Sequence, residues 1–412
     1  MRIIKQIESL IISYKEKVEK DLHSESQKIL LIFGVDETWL EHMLLVCQEL
    51  SSGYIFFEEP SKTRTTDKWA SLIDKFVSLY GSFKFFVSDR AKALIKLAKE
   101  NYLVNSVSDL FHMLQDINKG ICLALSSKIK GVKKQLKKLN ADTSGEQISI
   151  LEKKLQLLKD YWHKYKQGIA HINKTLHPFK EINSKQNSTD AGAEIKADIK
   201  TIKTIINDNE IEDNGHIDKA ERQVDDAVSV IDIWWTWVNT QLAGMGLSNQ
   251  IITWIITVLL PYIYWKIQIR KSHGNSELKS YYKTIYDKAK VLFDSHPTTL
   301  IFTNNKLKEW ILWAEDMADK FQRSSSQVEG RNGLSQINHS IRGVNNDRIK
   351  ALTVIHNFNT IRDDGTTPAE RLFKKKCPSL FEYILEGVKP LPLPKNTIFQ
   401  HHHPGVLLHV YR

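Results

Sequence analysis

The chain has 412 residues, and its 58 Lys plus Arg outnumber 48 Asp plus Glu for a formal net charge of +10. That length accommodates two or three domains and a sizeable core, and the basic excess points to a polyanionic partner, most often nucleic acid. Cys47, Cys122 and Cys377 are scattered without a CxxC pair, which argues against a disulfide framework or a cysteine zinc site and fits a reducing cytoplasm.

MRIIKQIESLIISYKEKVEK sets Ile4, Ile7, Ile11, Tyr14 and Val18 at helical spacing with charges between them. This predicts an amphipathic helix over 1–28, not a signal peptide, whose apolar run would be unbroken. Residues 29–58 read as three strands, ILLIFGVDETWL, HMLLVCQEL and GYIFFEEP, joined closely enough for an antiparallel meander. Trp69, Leu72, Ile73, Phe76 and Leu79 then predict a helix over 62–80. FKFFVSD is a fourth strand, too apolar for an exposed edge and therefore central. AKALIKLAKENY is helical, and LVNSVSDLFHML holds a further short strand or a helix start.

A long helical block follows. Leu125, Ile129, Val132, Leu136 and Leu139 alternate four and three apart. After the polar turn NADTSGEQ the spacing resumes from Ile148 through Leu151, Leu155, Leu158, Trp162, Tyr165, Ile169 and Ile172 to Leu176. Sustained spacing of this kind on both sides of a turn predicts a coiled-coil hairpin. The stretch 182–218 is polar and reads as loop, and Trp234, Trp235, Trp237, Trp254 and Trp265 mark a second helical layer. Ile233 to Trp265 carries no charge, but its cleanest apolar part, Ile251 to Trp265, falls short of the roughly 20 residues of a spanning helix. A buried core helix is expected there, and no membrane.

Trp310 and Trp313 lie on a returning helix, and Thr367-Pro-Ala-Glu370 is a capping box with Pro at the first helical position. The expected fold class is α/β, a mixed sheet in RNase H-like order interrupted by a large all-helical insertion. Its parts are the N-terminal helix at 1–28, the first part of the core at 29–118, the insertion at 119–304, the last core helices at 305–390 and an extended tail at 391–412. The tail carries a tract, His401, His402 and His403, that nothing upstream completes into a metal site.

Three acids stand out. Asp36 lies in or at the end of the first strand, where Asp is depleted and costly if it faces inward unpaired. Asp89 ends the fourth strand, where it is either a metal ligand or the cap of the next helix. Glu329, in RSSSQVEGRNG, shares a polar helix face with Asn332 and Gln336, opposite an expected buried stripe of Leu334, Ile337 and Ile341. Arg323, Ser324, Ser325 and Ser326 precede it with the cationic, hydroxyl and N–H groups of a phosphate site. Three converging carboxylates can hold two Mg²⁺ ions about 3.5–4 Å apart for phosphoryl transfer, with Mn²⁺ able to substitute. Asp109, Glu37 and His112 are reserve groups, for which a helix cap, a solvent-facing neighbour and a buried structural histidine are the plainer roles. Arg90, Lys92, Arg323, Ser324 and Arg331 flank the acids and are expected to contact DNA phosphates.

The order Asp36, Asp89, Glu329, with a helical insertion before the third acid, resembles the DDE transposases. More narrowly, SSSQVEGRNGLSQINH with LTVIHNFNTIRDDGTTPAERLF resembles a group of bacterial insertion-sequence transposases, whose first-acid segment DETW resembles and whose segment after the second acid SDLFH resembles. The resemblance covers roughly 30–118 and 305–380. It implies that Asp36, Asp89 and Glu329 are the catalytic, metal-binding triad of a polynucleotidyl transferase. DNA would be the partner, held by a homo-oligomer in the nucleoid-associated cytoplasm. Such proteins usually carry a DNA-binding helical domain ahead of the core, and the short segment here suggests an N-terminally truncated copy. The alternative is an inactive remnant acting as a DNA-binding or assembly protein; a third reading, a membrane-associated helical protein, rests on 233–265 alone.

Overall fold

The computed structural model describes residues 2–24, 29–139, 145–180, 184–272, 274–342, 345–362 and 364–388. The expected tail at 391–412, with its histidine tract, lies outside the described residues.

Helix α1 (Arg2–Ser24) leads into β1 (Ile29–Trp39), β2 (Met43–Glu49) and β3 (Tyr54–Pro60). Then come α2 (Thr66–Tyr80), β4 (Gly81–Ser88), α3 (Lys92–Lys96), which runs on as a π-helical turn Leu97–Asn101, and β5 (Asn105–Ser108). The strands form one five-stranded mixed sheet in the order β3-β2-β1-β4-β5. The meander β1–β3 is antiparallel, and β4 and β5 run parallel to β1. β1 and β4 are therefore interior, as the unbroken apolar character of FKFFVS requires.

Strand alternation divides the side chains between two cores. Leu31, Phe33, Val35, Leu45, Phe56 and Phe86 face a layer that includes Tyr14 of α1 and Trp69 of α2. Ile32, Val46, Phe85, Val87 and Val107 face the opposite way, into a core continuous with the helical part of the chain. The α1 stripe buries Ile11, Tyr14, Val18 and Leu22, but Ile4 is exposed.

The helical block comprises α4 (Leu110–Lys137), α5 (Gly145–Thr175), α6 (Ser188–Asp208) and α7 (His216–Ala243). They pack in a ring: α4 on α5, α5 on α6, α6 on α7 and α7 back on α4. The 3–4 spacing of α4 and α5 thus serves a four-helix core and not an isolated coiled-coil pair, because both packings use the same shallow crossing of helices. α6 lies where loop was expected. Ala191, Ile195, Ile199, Ile202 and Ile205 form its buried stripe, and the polar residues that suggested a loop are its two ends, with Asn187 capping Asp190 N at 2.8 Å. The expected boundary at 118/119 falls inside α4, which runs from the sheet into the ring without a break.

α8 (Asn249–Trp254), a π-helical turn Ile255–Leu259 and α9 (Leu260–Lys271) follow in one run. Pro261 lacks an N–H and its ring cannot tolerate a regular preceding turn, which accounts for a π-bulge at that place. This run is long and apolar enough to cross a membrane by length and composition. Even so, Trp254, Ile255, Leu259, Leu260, Ile263, Tyr264 and Trp265 are all packed inside the helical core. Next are α10 (Ser276–Ser295), α11 (Pro297–Ile301) and α12 (Asn304–Asp319), which packs on α9. The chain then ends against the sheet with α13 (Ser326–Arg342), α14 (Asn346–Phe358), α15 (Pro368–Phe373) and α16 (Leu380–Gly387). α13 packs on β1 and β2, while α14 packs on β3 and α1. The Thr367 capping box forms with both of its hydrogen bonds. Cys47, Cys122 and Cys377 are all free thiols.

Candidate active site

Asp36 is a charged residue on an interior strand and is 7% exposed. It belongs to the face of β1 that carries Ile32 and Gly34, and α13 crosses that face. Gly34 makes the crossing possible: a Cβ there would stand 2.6 Å from Leu50 Cδ2 and 2.9 Å from Val328 Cγ2. Leu50 can turn aside, but β-branched Val328 on α13 cannot. Gly34→Ala is accordingly expected to cost about 1–3 kcal/mol by overpacking, read as a lower denaturant midpoint. Unchanged stability would mean that α13 does not depend on this contact.

α13 meets the sheet with its polar side. Val328, Arg331, Asn332 and Ser335 are buried, whereas Leu334 and Ile337 are 50% and 57% exposed. The expected buried stripe of Leu334 and Ile337 is therefore turned outward; the side chain of Ile341 lies outside the described residues. The reason is on the strands, which present Asp36, Thr38 and Glu58. Buried polar groups without partners cost more than two exposed aliphatic side chains. Asn332 Nδ2 donates to Asp36 Oδ2 at 2.8 Å, and Gln336 Nε2 donates to Thr38 Oγ1 at 3.1 Å.

Glu329 is the residue after Val328, and there it meets Asp36 and His112. One ligand atom from each of Asp36, His112 and Glu329 falls within 4.8 Å of the others, the sole such group of acids, His or Cys among the described residues. His112 Nε2 sits 3.0 Å from Glu329 Oε1 as an ion pair, without an aligned hydrogen bond. Burial pushes the Asp36 carboxyl up to about 8, reinforced by the Glu329 charge. Burial acts to lower His112, but Glu329, Asp109 and Asp36 outweigh it and raise the imidazole to about 9. The same His112 contact lowers Glu329. Sequence reasoning held His112 in reserve; its position in the first turn of α4, next to the α13 start, is what brings it in.

Asp89 is not in that group. Its Oδ1 accepts from Ala91 N at 2.9 Å in a tight turn ahead of α3, whose N-cap is Ala91 without a side-chain cap bond, so Asp89 is not the helix cap that competed with metal binding. The parallel register ends at Gly34 beside Val87, and Asp89 is the first residue after β4. Its charge reaches Glu37, whose carboxyl is raised by burial and then by Asp89, while Arg64 stands 3.4 Å away. Asp109 is the cap of α4, accepting from Phe111 N at 2.8 Å and from the hydroxyl of Ser325.

The flanking cations take varied positions. Arg331 is buried with its guanidinium forked onto Glu58 at 2.9 and 2.7 Å. Arg323 donates to the carbonyls of Asn173 and Leu176 at 2.7 and 3.0 Å, and so ties the end of α5 to the segment before α13. Arg90 pairs with Asp226 of α7 at 2.5 Å. Lys92 is exposed, and Ser324 Oγ accepts from Ser326 N at 3.1 Å.

Asp36 and Glu329 fit a divalent cation on this geometry, and His112, the protonated partner of Glu329, would join them only by giving up its proton. Asp36 and Glu329 repel across a short distance, and Asn332 Oδ1 and Glu37 Oε1 are buried oxygens with no hydrogen-bond partner. A cation would relieve the repulsion and give the free oxygens hydrated neighbours. The two carboxylates are the ligand type that suits Mg²⁺ or Mn²⁺.

No curated protein matches the chain. Residues 255–399 match the model of a family described as one of unknown function, DUF6399. The matched segment runs from the π-bulge onward and includes Glu329, whereas Asp36, Asp89 and His112 lie before it.

Proposed function

We propose that this protein is a metal-dependent polynucleotidyl transferase of the DDE transposase kind, built on an RNase H-like core. It would cleave DNA strands at insertion-sequence ends and join the freed 3′-OH to target DNA, working as a homo-oligomer on nucleoid DNA. The observation that carries the reading is the convergence of Asp36 and Glu329, brought together on one sheet face from opposite parts of the chain. The strand order β3-β2-β1-β4-β5, antiparallel then parallel about β1, supports the RNase H-like assignment.

In this reading Asp36 and Glu329 would hold the ions, with Asp89, just past the end of β4, completing the set. When bound, the ions supply Lewis-acid stabilisation of the attacking and departing oxygens. Asn332 orients Asp36 through its Nδ2, and His112 balances the charge of Glu329. The chain's own side chains form no covalent bond to the substrate, since water and the 3′-OH are the nucleophiles.

Incubation with an end-containing duplex and Mg²⁺ or Mn²⁺ is expected to give strand cleavage that chelator abolishes. Intact duplex under both metals, with DNA still bound, would remove the catalytic reading. It would leave a non-catalytic DNA-binding or assembly protein, a reading favoured by the hydrogen bond that Asp89 makes within its own turn.

A further inference from the structure

Beside the carboxylate site lies a groove of about 750 Å³. The turn after β2, the first turn of α13, the end of α9 and the segment before α15 enclose it. Arg270, Lys271, Arg323, Arg362 and Arg371 line it, against Asp319 and Asp364. The acids are already engaged: Lys271 reaches Asp319 at 3.3 Å and Arg371 reaches Asp364 at 3.4 Å. Cationic charge is thus left over.

The excess is held in place by the fold. Arg362 Nη2 donates to Gln327 Oε1 at 2.8 Å and packs on Gly53, where a Cβ would stand 2.1 Å from that nitrogen. Arg371 Nε donates to Ser52 O at 2.9 Å, while its Nη2 is buried without a partner. Burial, with the charges of Arg371 and Arg270, lowers Arg362 to about 10 against the opposing pull of Asp364 and Asp319. Cations gathered against their mutual repulsion, with an unused guanidinium nitrogen, make a receptor for an anion.

Two contacts give the groove its direction. Phe111 lines it and adjoins His112, and Ser326 and Gln327 line it one turn before Glu329. We infer that this groove binds the phosphodiester backbone of a nucleic-acid strand, with Arg270, Arg362 and Arg371 on successive phosphates, and leads that strand to the carboxylates. The inference rests on the strand-cleavage reading for its direction, but the phosphate contacts can be tested apart from it. Planar guanidinium forks suit phosphate oxygens, and backbone contacts of this kind position a strand without reading its bases.

The test uses the full chain and labelled single- and double-stranded oligonucleotides, with affinity measured across a salt series. Arg270→Gln changes an exposed residue at the end of α9, and Arg362→Gln changes the groove wall; thermal melts check that both fold. Each variant is expected to bind on the order of tenfold more weakly at low salt, with the salt slope reduced by roughly one. Unchanged affinity and slope in a folded Arg270→Gln protein would overturn the inference, as would absence of binding by the unaltered chain. Equal displacement of the oligonucleotide by polyglutamate would overturn it in favour of an acidic peptide. Weakened binding in a chain that never cleaves DNA would leave the groove standing and remove the cleavage reading. Cleavage with unaltered binding in both variants would do the reverse.

Discussion

Asp36→Asn and Glu329→Gln are each expected to lower metal-dependent strand cleavage by roughly three orders of magnitude or more, because each removes a charge aimed at the reacting centre. The two should differ in their effect on the fold. Asp36 is buried beside the Glu329 carboxylate, so Asp36→Asn relieves repulsion and should hold or raise the melting temperature in metal-free buffer, whereas Glu329→Gln also strips His112 of its partner and should lower it modestly. Added Mn²⁺ should raise the melting temperature of the unaltered chain and have little effect on either variant. Full cleavage by either variant would end its role as a ligand. Asp89→Asn separates the two functional readings: Asn makes the same turn hydrogen bond two residues on as Asp does, so the fold survives. Loss of cleavage then reports a missing metal ligand, whereas retained cleavage makes Asp89 a turn residue and nothing more.

The largest loss of stability is expected at Arg331. Its side chain is 7% exposed and that of Glu58 is 1% exposed. Thr353 also donates its hydroxyl to Glu58. Arg331→Met leaves a buried carboxylate without its cation, and Glu58→Gln leaves a buried guanidinium without its anion. Each should cost about 3–5 kcal/mol in urea unfolding. Changing both residues together to apolar ones should recover much of the loss, because neither charge is then stranded. If the single changes cost no more than surface substitutions do, then α13 is held to β3 by other contacts. Arg331 would in that case be free to meet phosphates, as the sequence pattern had suggested.

Much of the fold was legible in the sequence because its signals are local. Alternating and unbroken apolar runs fix β1 to β4, the α1 stripe is periodic, and Thr367, Pro368 and Glu370 specify a cap through atoms within one turn. Asp36 stood out because a carboxylate inside an apolar strand needs a partner, and Glu329 because three hydroxyl residues precede it on a polar face. What the tertiary structure alone decided are matters of partnership across long separations. Leu334 and Ile337 look like a core stripe, but α13 turns Arg331 and Asn332 inward because Glu58 and Asp36 wait on the strands. The isoleucines of α6 become core only when α5 and α7 close around them, and the heptads of α4 and α5 cannot reveal how many helices they face. His112 joins the acids through the docking of α4 and α13, since side chains hundreds of positions apart meet only once the packing energy of the whole chain has placed them.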